Sequence, residues 1–241
     1  MEVIEEKAIL LSEWKNTGTS WTHNDSFEEN GFLIIKNLYD YKKLLCPPPE
    51  KTGMYTWWGK KLDQFTYNED EGQVEGSIAR YWHPHYRQAH RDIRPILEKE
   101  IGRKLYTTYY YDRFYFAGQE LTRHTDRDAC EISVSIHIGT NLQDNWPIYF
   151  KTPDKFSDLS KKELVEKGKV FGVNLEKGDG VLYKGCERPH WRDGMPGTLE
   201  TSLAQLNQKS LDKFYYHQIF FHYVLQNGER AHCAWDMARE L

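Results

Sequence analysis

The sequence is poor in most of the features that would place a chain in a special class. It has only four cysteines in 241 residues, Cys46, Cys130, Cys186 and Cys233, and none forms a C-x-x-C pair. That argues against a disulfide framework or a thiolate metal cluster and predicts reduced thiols in a cytoplasmic protein. No apolar run approaches the ~20 residues that cross a bilayer, so no membrane span is expected. Neither sign of charge dominates: 32 basic residues face 36 acidic ones, for a net charge of -4. A chain so balanced carries no broad positive footprint for nucleic acid. The opening M-E-V-I-E-E-K-A-I-L-L lacks a positively charged n-region, and no signal peptide is expected. Internal repeats and low-complexity tracts are absent as well.

What the chain has in plenty is aromatic surface, 15% of residues with eight tryptophans, enough for a large core or a lined pocket. Residues 1–30 are polar, with a few apolar positions at helical spacing. Gly31 to Leu38 is a short β-branched run that reads as a buried strand. Pro47, Pro48 and Pro49 forbid helix and sheet pairing together and predict a stiff extended connector. From Gly53 to His85, tryptophans, glycines and acids mix without period, which predicts a long irregular region. The pair His83 and His85 around Pro84 reads as loop rather than metal site, since no carboxylate or thiol stands at matching spacing. Tyr86 to Leu105 carries Ala89, Ile93, Ile96, Leu97 and Ile101 at helical spacing, with Pro95 either kinking that helix or marking its first turn. Strand-like runs follow at Leu105–Phe116, Glu131–Ile138, Trp146–Phe150, Lys169–Leu175, Gly180–Tyr183 and Phe214–Leu225, with a short helix expected at Leu159–Lys167. Helices first and many short strands afterwards predict one mainly β domain, a sandwich or barrel with flanking helices. Its parts would be 1–103 (helical and irregular), 104–225 (β core) and 226–241 (tail).

The chemistry concentrates between Arg113 and Gly139. His124 and Asp126 stand two residues apart at the end of an alternating run, so in extended backbone they point to one side. Much later, after the turn Lys177-Gly178-Asp179-Gly180, His190 follows a second strand. A closed sheet could bring it opposite the first pair. Two imidazoles and one carboxylate suit Fe(II) with one face left open, whereas zinc more usually closes its site or keeps one water.

With those residues in hand, the chain resembles the Fe(II)- and 2-oxoglutarate-dependent dioxygenase superfamily, in the style of its prolyl 4-hydroxylase-like branch. Tyr115-x-x-Gly118 followed by His124-x-Asp126 is similar to that branch's spacing, and Gly178 to Tyr183 resembles the approach to the distal histidine. Phe27 to Leu38 resembles the way many members begin. The resemblance spans roughly Phe27 to Val224. It implies a double-stranded β-helix, a cupin-like jelly roll, with His124, Asp126 and His190 as metal ligands. It also implies Fe(II), 2-oxoglutarate and O2 as reactants, and hydroxylation of a small molecule or peptide side chain with release of succinate and CO2. A non-catalytic cupin-like binding protein and a nucleic-acid demethylase of the same superfamily stand as alternatives, the acidic balance weighing against the latter.

One departure matters. Where relatives of this kind place a base about ten residues beyond the distal histidine, this chain has Gly197-Thr198-Leu199-Glu200-Thr201, and the last strand is displaced by an insertion, Gly194–Lys213. A buried dianion needs a cation and donors. Arg192, two residues past His190, is the first candidate anchor, with Tyr115 donating its hydroxyl beside it. Gln218 and His222 on the last strand are further candidates for the pocket wall. Arg113 suits a structural role equally well, and Arg127 and Asp128 read as a solvated turn. Nothing in the sequence specifies an oligomeric state or the primary substrate.

Overall fold

The longest alternating runs become three neighbouring strands of one sheet. β6 (Leu105–Phe116) and β8 (Ile132–Thr140) both pair antiparallel with β13 (Tyr215–Leu225), which lies between them. Side chains alternate across such strands, and here the alternation sorts apolar from polar. Ile132, Val134, Ile136 and Ile138 of β8, with Ile219, Phe221 and Tyr223 of β13, join a core with the long helix α2 (Arg87–Ile101). The opposite face of the same strands carries Ser133, Ser135 and His137, then Gln218 and His222, then Tyr111, Arg113 and Tyr115, all of them buried.

That polar face looks across at a second sheet. The computed structural model describes residues 8–11, 25–57, 64–152, 168–197 and 214–236. In them the larger sheet has the order β2 (Phe32–Ile35), β11 (Gly180–Lys184), β8, β13, β6, β5 (Ile78–Tyr81), β3 (Gly53–Thr56) and β4 (Thr66–Asn68). The smaller sheet runs β1 (Ile9–Leu11), β10 (Lys169–Val173), β9 (Ile148–Thr152), β12 (His190–Arg192) and β7 (Leu121–His124). From β6 onward the chain crosses repeatedly between the sheets. It thereby builds two interleaved four-stranded layers, β11-β8-β13-β6 and β10-β9-β12-β7, the winding of a double-stranded β-helix. Phe32, Ile34, Val181 and Tyr183 of one layer pack on Ile148, Phe150 and Val173 of the other, closing one end. Tyr115 and Tyr216 meet Leu121, Trp146 and Met195 at the opposite end.

Some expectations need correction. The described part of the region 53–85 is not wholly irregular: β3, β4 and β5 extend the larger sheet beyond β6, with β3 and β5 parallel. Pro95 does not mark the first turn of the helix but sits within α2 on its exposed side. Arg127 and Asp128 are exposed, as a solvated turn would be, and each also has a partner: Arg127 pairs with Asp236 at 2.5 Å and covers the Tyr109 ring, while Asp128 pairs with Arg230. The helix expected at Leu159–Lys167 and most of the insertion within Gly194–Lys213 lie outside the described residues, as do many of residues 1–30, of which Asp25–Asn30 form a short helix, α1. Among the described residues no helix is long and apolar enough to cross a membrane.

Candidate metal centre and its polar cavity

β7 and β12 pair antiparallel, and their register sets His124 directly opposite His190. Two strands distant in sequence thereby bring their rings to a centroid separation of 4.4 Å. Asp126 follows β7 immediately. Its amide donates to Gly185 O at 2.9 Å, which turns the carboxylate back toward the two rings. His124 Nε2 and His190 Nε2 each lie 3.5 Å from Asp126 Oδ1. One ligand atom from each of the three residues falls within 4.8 Å of the others.

The outer ring nitrogens explain why Nε2 is the one presented. His124 Nδ1 lies 2.8 Å from Thr122 O, and His190 Nδ1 lies 2.9 Å from Arg188 O. A carbonyl can only accept, so both Nδ1 atoms carry hydrogen and both Nε2 lone pairs face inward when the rings are neutral, the arrangement that metal-ligating histidines need. Asp126 Oδ2 accepts from Ser133 Oγ at 3.1 Å, leaving Oδ1 toward the histidines. Gly185 makes this approach possible, because a Cβ there would meet Asp126 Oδ2, the Cys130 carbonyl and Ser133 Oγ. Burial alone would push the Asp126 carboxyl up, but His190 and His124 hold it well below the usual carboxylate range. Burial likewise opposes charge on His124, yet the neighbouring Asp126 carboxylate, which would pair with the protonated ring, raises it overall.

Beyond the triad the polar inner face forms two groups. In the first, Arg192, 1% exposed, donates NH1 to Trp146 O and NH2 to Gln218 Oε1 at 2.7 Å. Its guanidinium lies 4.6 Å from the ring centroids of both Trp146 and Tyr216, and the Tyr115 ring abuts Trp146 at 5.1 Å. Arg192 Nε, Gln218 Nε2 and Tyr115 OH have no hydrogen-bond partner among the described residues. Three buried donors left without acceptors, around one guanidinium, are the complement of a carboxylate. Three of the sequence candidates, Arg192, Tyr115 and Gln218, therefore come together.

The fourth does not join them. His222 lies beside the triad, its Nδ1 2.9 Å from Ser133 Oγ and its ring stacked on Tyr109 at 4.5 Å. Burial lowers it to about 4, so it is a neutral ring beside Asp126. With Asp126 and Cys130 it makes a second set of ligand atoms within 4.8 Å, sharing the same carboxylate. The second polar group centres on Arg113, which donates NH2 to Glu71 Oε1 at 2.7 Å and NH1 to Gln73 Oε1 at 2.8 Å. Gln73 Nε2 in turn lies 3.2 Å from His124 Nε2. Sequence reasoning did not find Glu71, Gln73, Ser133 or Gly185. The first two sit in an aperiodic stretch, and the last two serve the site through backbone and hydroxyl contacts that no motif marks.

No family model and no curated relative matches the sequence. Solved structures do match the fold. An oxidoreductase of the 2OG-Fe(II) oxygenase family from Burkholderia pseudomallei aligns with a TM-score of 0.57 at 11% identity, over 90% of this chain and 95% of that one. The non-heme alpha ketoglutarate dependent epimerase SnoN of nogalamycin biosynthesis aligns at 0.55 and 11%, over 83% and 80%. HygX from Streptomyces hygroscopicus, solved with nickel and 2-oxoglutarate bound, aligns at 0.54 and 9%, over 86% and 87%. At such identities the likeness is one of fold: this chain has the jelly roll that those oxygenases share.

Proposed function

We propose that the protein is an Fe(II)- and 2-oxoglutarate-dependent oxygenase that hydroxylates a small molecule or a peptide side chain. The observation that carries this reading is the convergence of His124 Nε2, Asp126 Oδ1 and His190 Nε2 at one end of a jelly roll, with both histidine tautomers fixed by carbonyls. Two neutral imidazoles and a carboxylate suit a divalent iron and leave part of its coordination open. The donor set around Arg192 supports the keto acid: Arg192 would pair its far carboxylate, with Tyr115 and Gln218 donating beside it. When bound, iron and 2-oxoglutarate would supply, with O2, the oxidising chemistry that hydroxylates a C–H bond while the keto acid leaves as succinate and CO2.

This chain's own residues do the positioning. Ser133 and the Gly185 carbonyl orient Asp126, the carbonyls of Thr122 and Arg188 orient the rings, and the packing of Trp146, Tyr216 and Tyr115 keeps water from the Arg192 guanidinium. A dry site makes each of these charge-assisted bonds stronger than it would be in water. Succinate release from 2-oxoglutarate with added Fe(II), screened across small acids, amino acids and peptides, tests the reading. Wild type should release succinate, and His190→Ala should neither release it nor bind Mn(II) in a calorimetric titration. Release that persists in His190→Ala would overturn the assignment.

A further inference from the structure

Arg113 is a buried cation that the reading above does not use. It lies on the inner face of β6 at 0% exposure, with the faces of Tyr111 and Tyr115 5.3 and 5.6 Å from its guanidinium carbon. Its hydrogen-bond partners in the structure, Glu71 and Gln73, both belong to the short segment between β4 and β5. The pairing is incomplete at both ends, since Arg113 Nε and Glu71 Oε2, each buried, have no partner among the described residues. The same segment reaches the metal centre, because Gln73 bridges Arg113 and the ligand nitrogen of His124. A metal ion on that nitrogen would need the lone pair to which Gln73 now donates.

We propose that Arg113 is a second carboxylate subsite, serving the primary substrate, and that Glu71 is its internal stand-in, displaced when an acidic small molecule binds. The inference rests on the functional reading above and adds the substrate's chemical class. Exchanging one carboxylate for another keeps the buried guanidinium paired, so the ligand meets no bare charge and Glu71 regains hydration as it leaves. The subsite adjoins the Arg192 group without sharing its cation: Gln218 stands opposite Arg113 in the pairing of β13 with β6 and itself accepts from Arg192. Tyr115 lies against Arg113 and abuts Trp146, which covers Arg192. A carboxylate at Arg113 would lie about one amide's length from His124, which would bring the rest of the ligand near the residues that would hold the metal. Full burial of Arg113 beneath the segment limits the ligand to something small enough to be enclosed.

The test uses Mn(II)-loaded protein, which holds ligands without oxidative turnover, and has two calorimetric arms. In the first, 2-oxoglutarate is titrated into wild type, Arg192→Ala, Glu71→Gln and the double variant Arg113→Met/Glu71→Gln, which neutralises both partners together. Binding to all except Arg192→Ala is expected, and no binding to wild type would overturn the functional reading itself. In the second, with 2-oxoglutarate saturating, propanoate and its neutral isostere propanamide are titrated. Glu71→Gln should bind propanoate about tenfold more tightly than wild type does, with propanamide unchanged, and the double variant should not distinguish the two. A purely structural ion pair predicts loss of stability in Glu71→Gln and no gain in affinity. The proposal is overturned by the absence of that gain, by a carboxylate preference that survives in the double variant, or by loss of 2-oxoglutarate binding there as in Arg192→Ala.

Discussion

Gly185 holds the carboxylate of the triad as firmly as any side chain does, by offering none. Its carbonyl receives the Asp126 amide, and its missing Cβ leaves room for Asp126 Oδ2. Gly185→Ala should therefore push the carboxylate off its line to the two imidazoles. Groups that only orient metal ligands commonly cost about 10–100-fold in metal affinity when changed, and a Mn(II) titration should show a loss of that order. Ser133→Ala, which removes one hydrogen bond without a clash, should lose less; equal affinity in all three proteins would show that Asp126 is not held in this way. Away from the cavity, Asp112 is wholly buried on the outer face of β6, where Arg80, Tyr86 and His217 all bond to it. Burial would raise its carboxyl, but Arg80 and His217 keep it well below the carboxylate range. Asp112→Ala would strand the buried Arg80, and should cost about 3–5 kcal/mol in urea unfolding. At this scale the sequence told most about His124, Asp126 and His190, whose chemistry is unusual and whose spacing is regular. It told least about Gly185, Ser133 and Gln73, whose roles depend on approaches between segments far apart in the chain.

Among the elements, α2 shows how a local rule yields to its surroundings. Ala89, His90, Ile93, Leu97 and Ile101 face the core, and Gly102 ends the helix in a left-handed conformation at φ 65°. Pro95 lies between Ile93 and Leu97 on the other side, exposed to water. It removes an amide donor and crowds the carbonyl of Arg91, a defect that can approach ~3 kcal/mol in a helix interior. The unfolded chain is stiffened by the same proline, which returns part of the loss. Pro95→Ala should therefore stabilise the protein by about 1–2 kcal/mol, read as a higher urea midpoint at unchanged slope; a lower midpoint would mean that the proline is needed for the helix to fit the sheet. The long strands β6, β8 and β13 were legible because their apolar and polar residues alternate as pleated strands require. The three strands of 53–81 were not, for each has only three or four residues. Their parallel β3–β5 contact is also closed by a long connection instead of a hairpin turn. β7 and β12 are equally short and carry the ligands themselves, so their identity as strands was secondary to their chemistry.

For the molecule as a whole, the arrangement of two sheets around a buried polar face, with a histidine-bearing core outside it, makes stability a function of pH in a definite direction. His90 packs between Phe221, Tyr223 and Tyr110, and burial lowers it to about 3. His137 and His222, on the polar inner face of β8 and β13, are both lowered to about 4, again chiefly by burial. Their ordinary value is 6.5, so below that pH the unfolded chain takes up protons that the folded one refuses. Their contribution is complete above pH 6.5 and is lost as the pH falls toward 4, each group removing about 1.4 kcal/mol per pH unit while only the unfolded state is protonated. His124 works the other way. Its raised value makes its contribution complete below pH 6.5 and fading as the pH climbs past it, but it is one group against five, since burial lowers His83 and His217 as well. Asp112 and Asp126, held below the carboxylate range, stay ionised in the folded state across this window and begin to cost stability only under the ordinary carboxylate values. The metal-free protein should therefore lose urea stability steadily between pH 6.5 and 4, most of it before the carboxylates titrate. His90→Phe keeps the ring stack and removes one proton site, so its stability profile should be shallower by about 1.4 kcal/mol per pH unit over that interval. A profile for His90→Phe parallel to that of wild type would show that His90 already takes up its proton in the folded state.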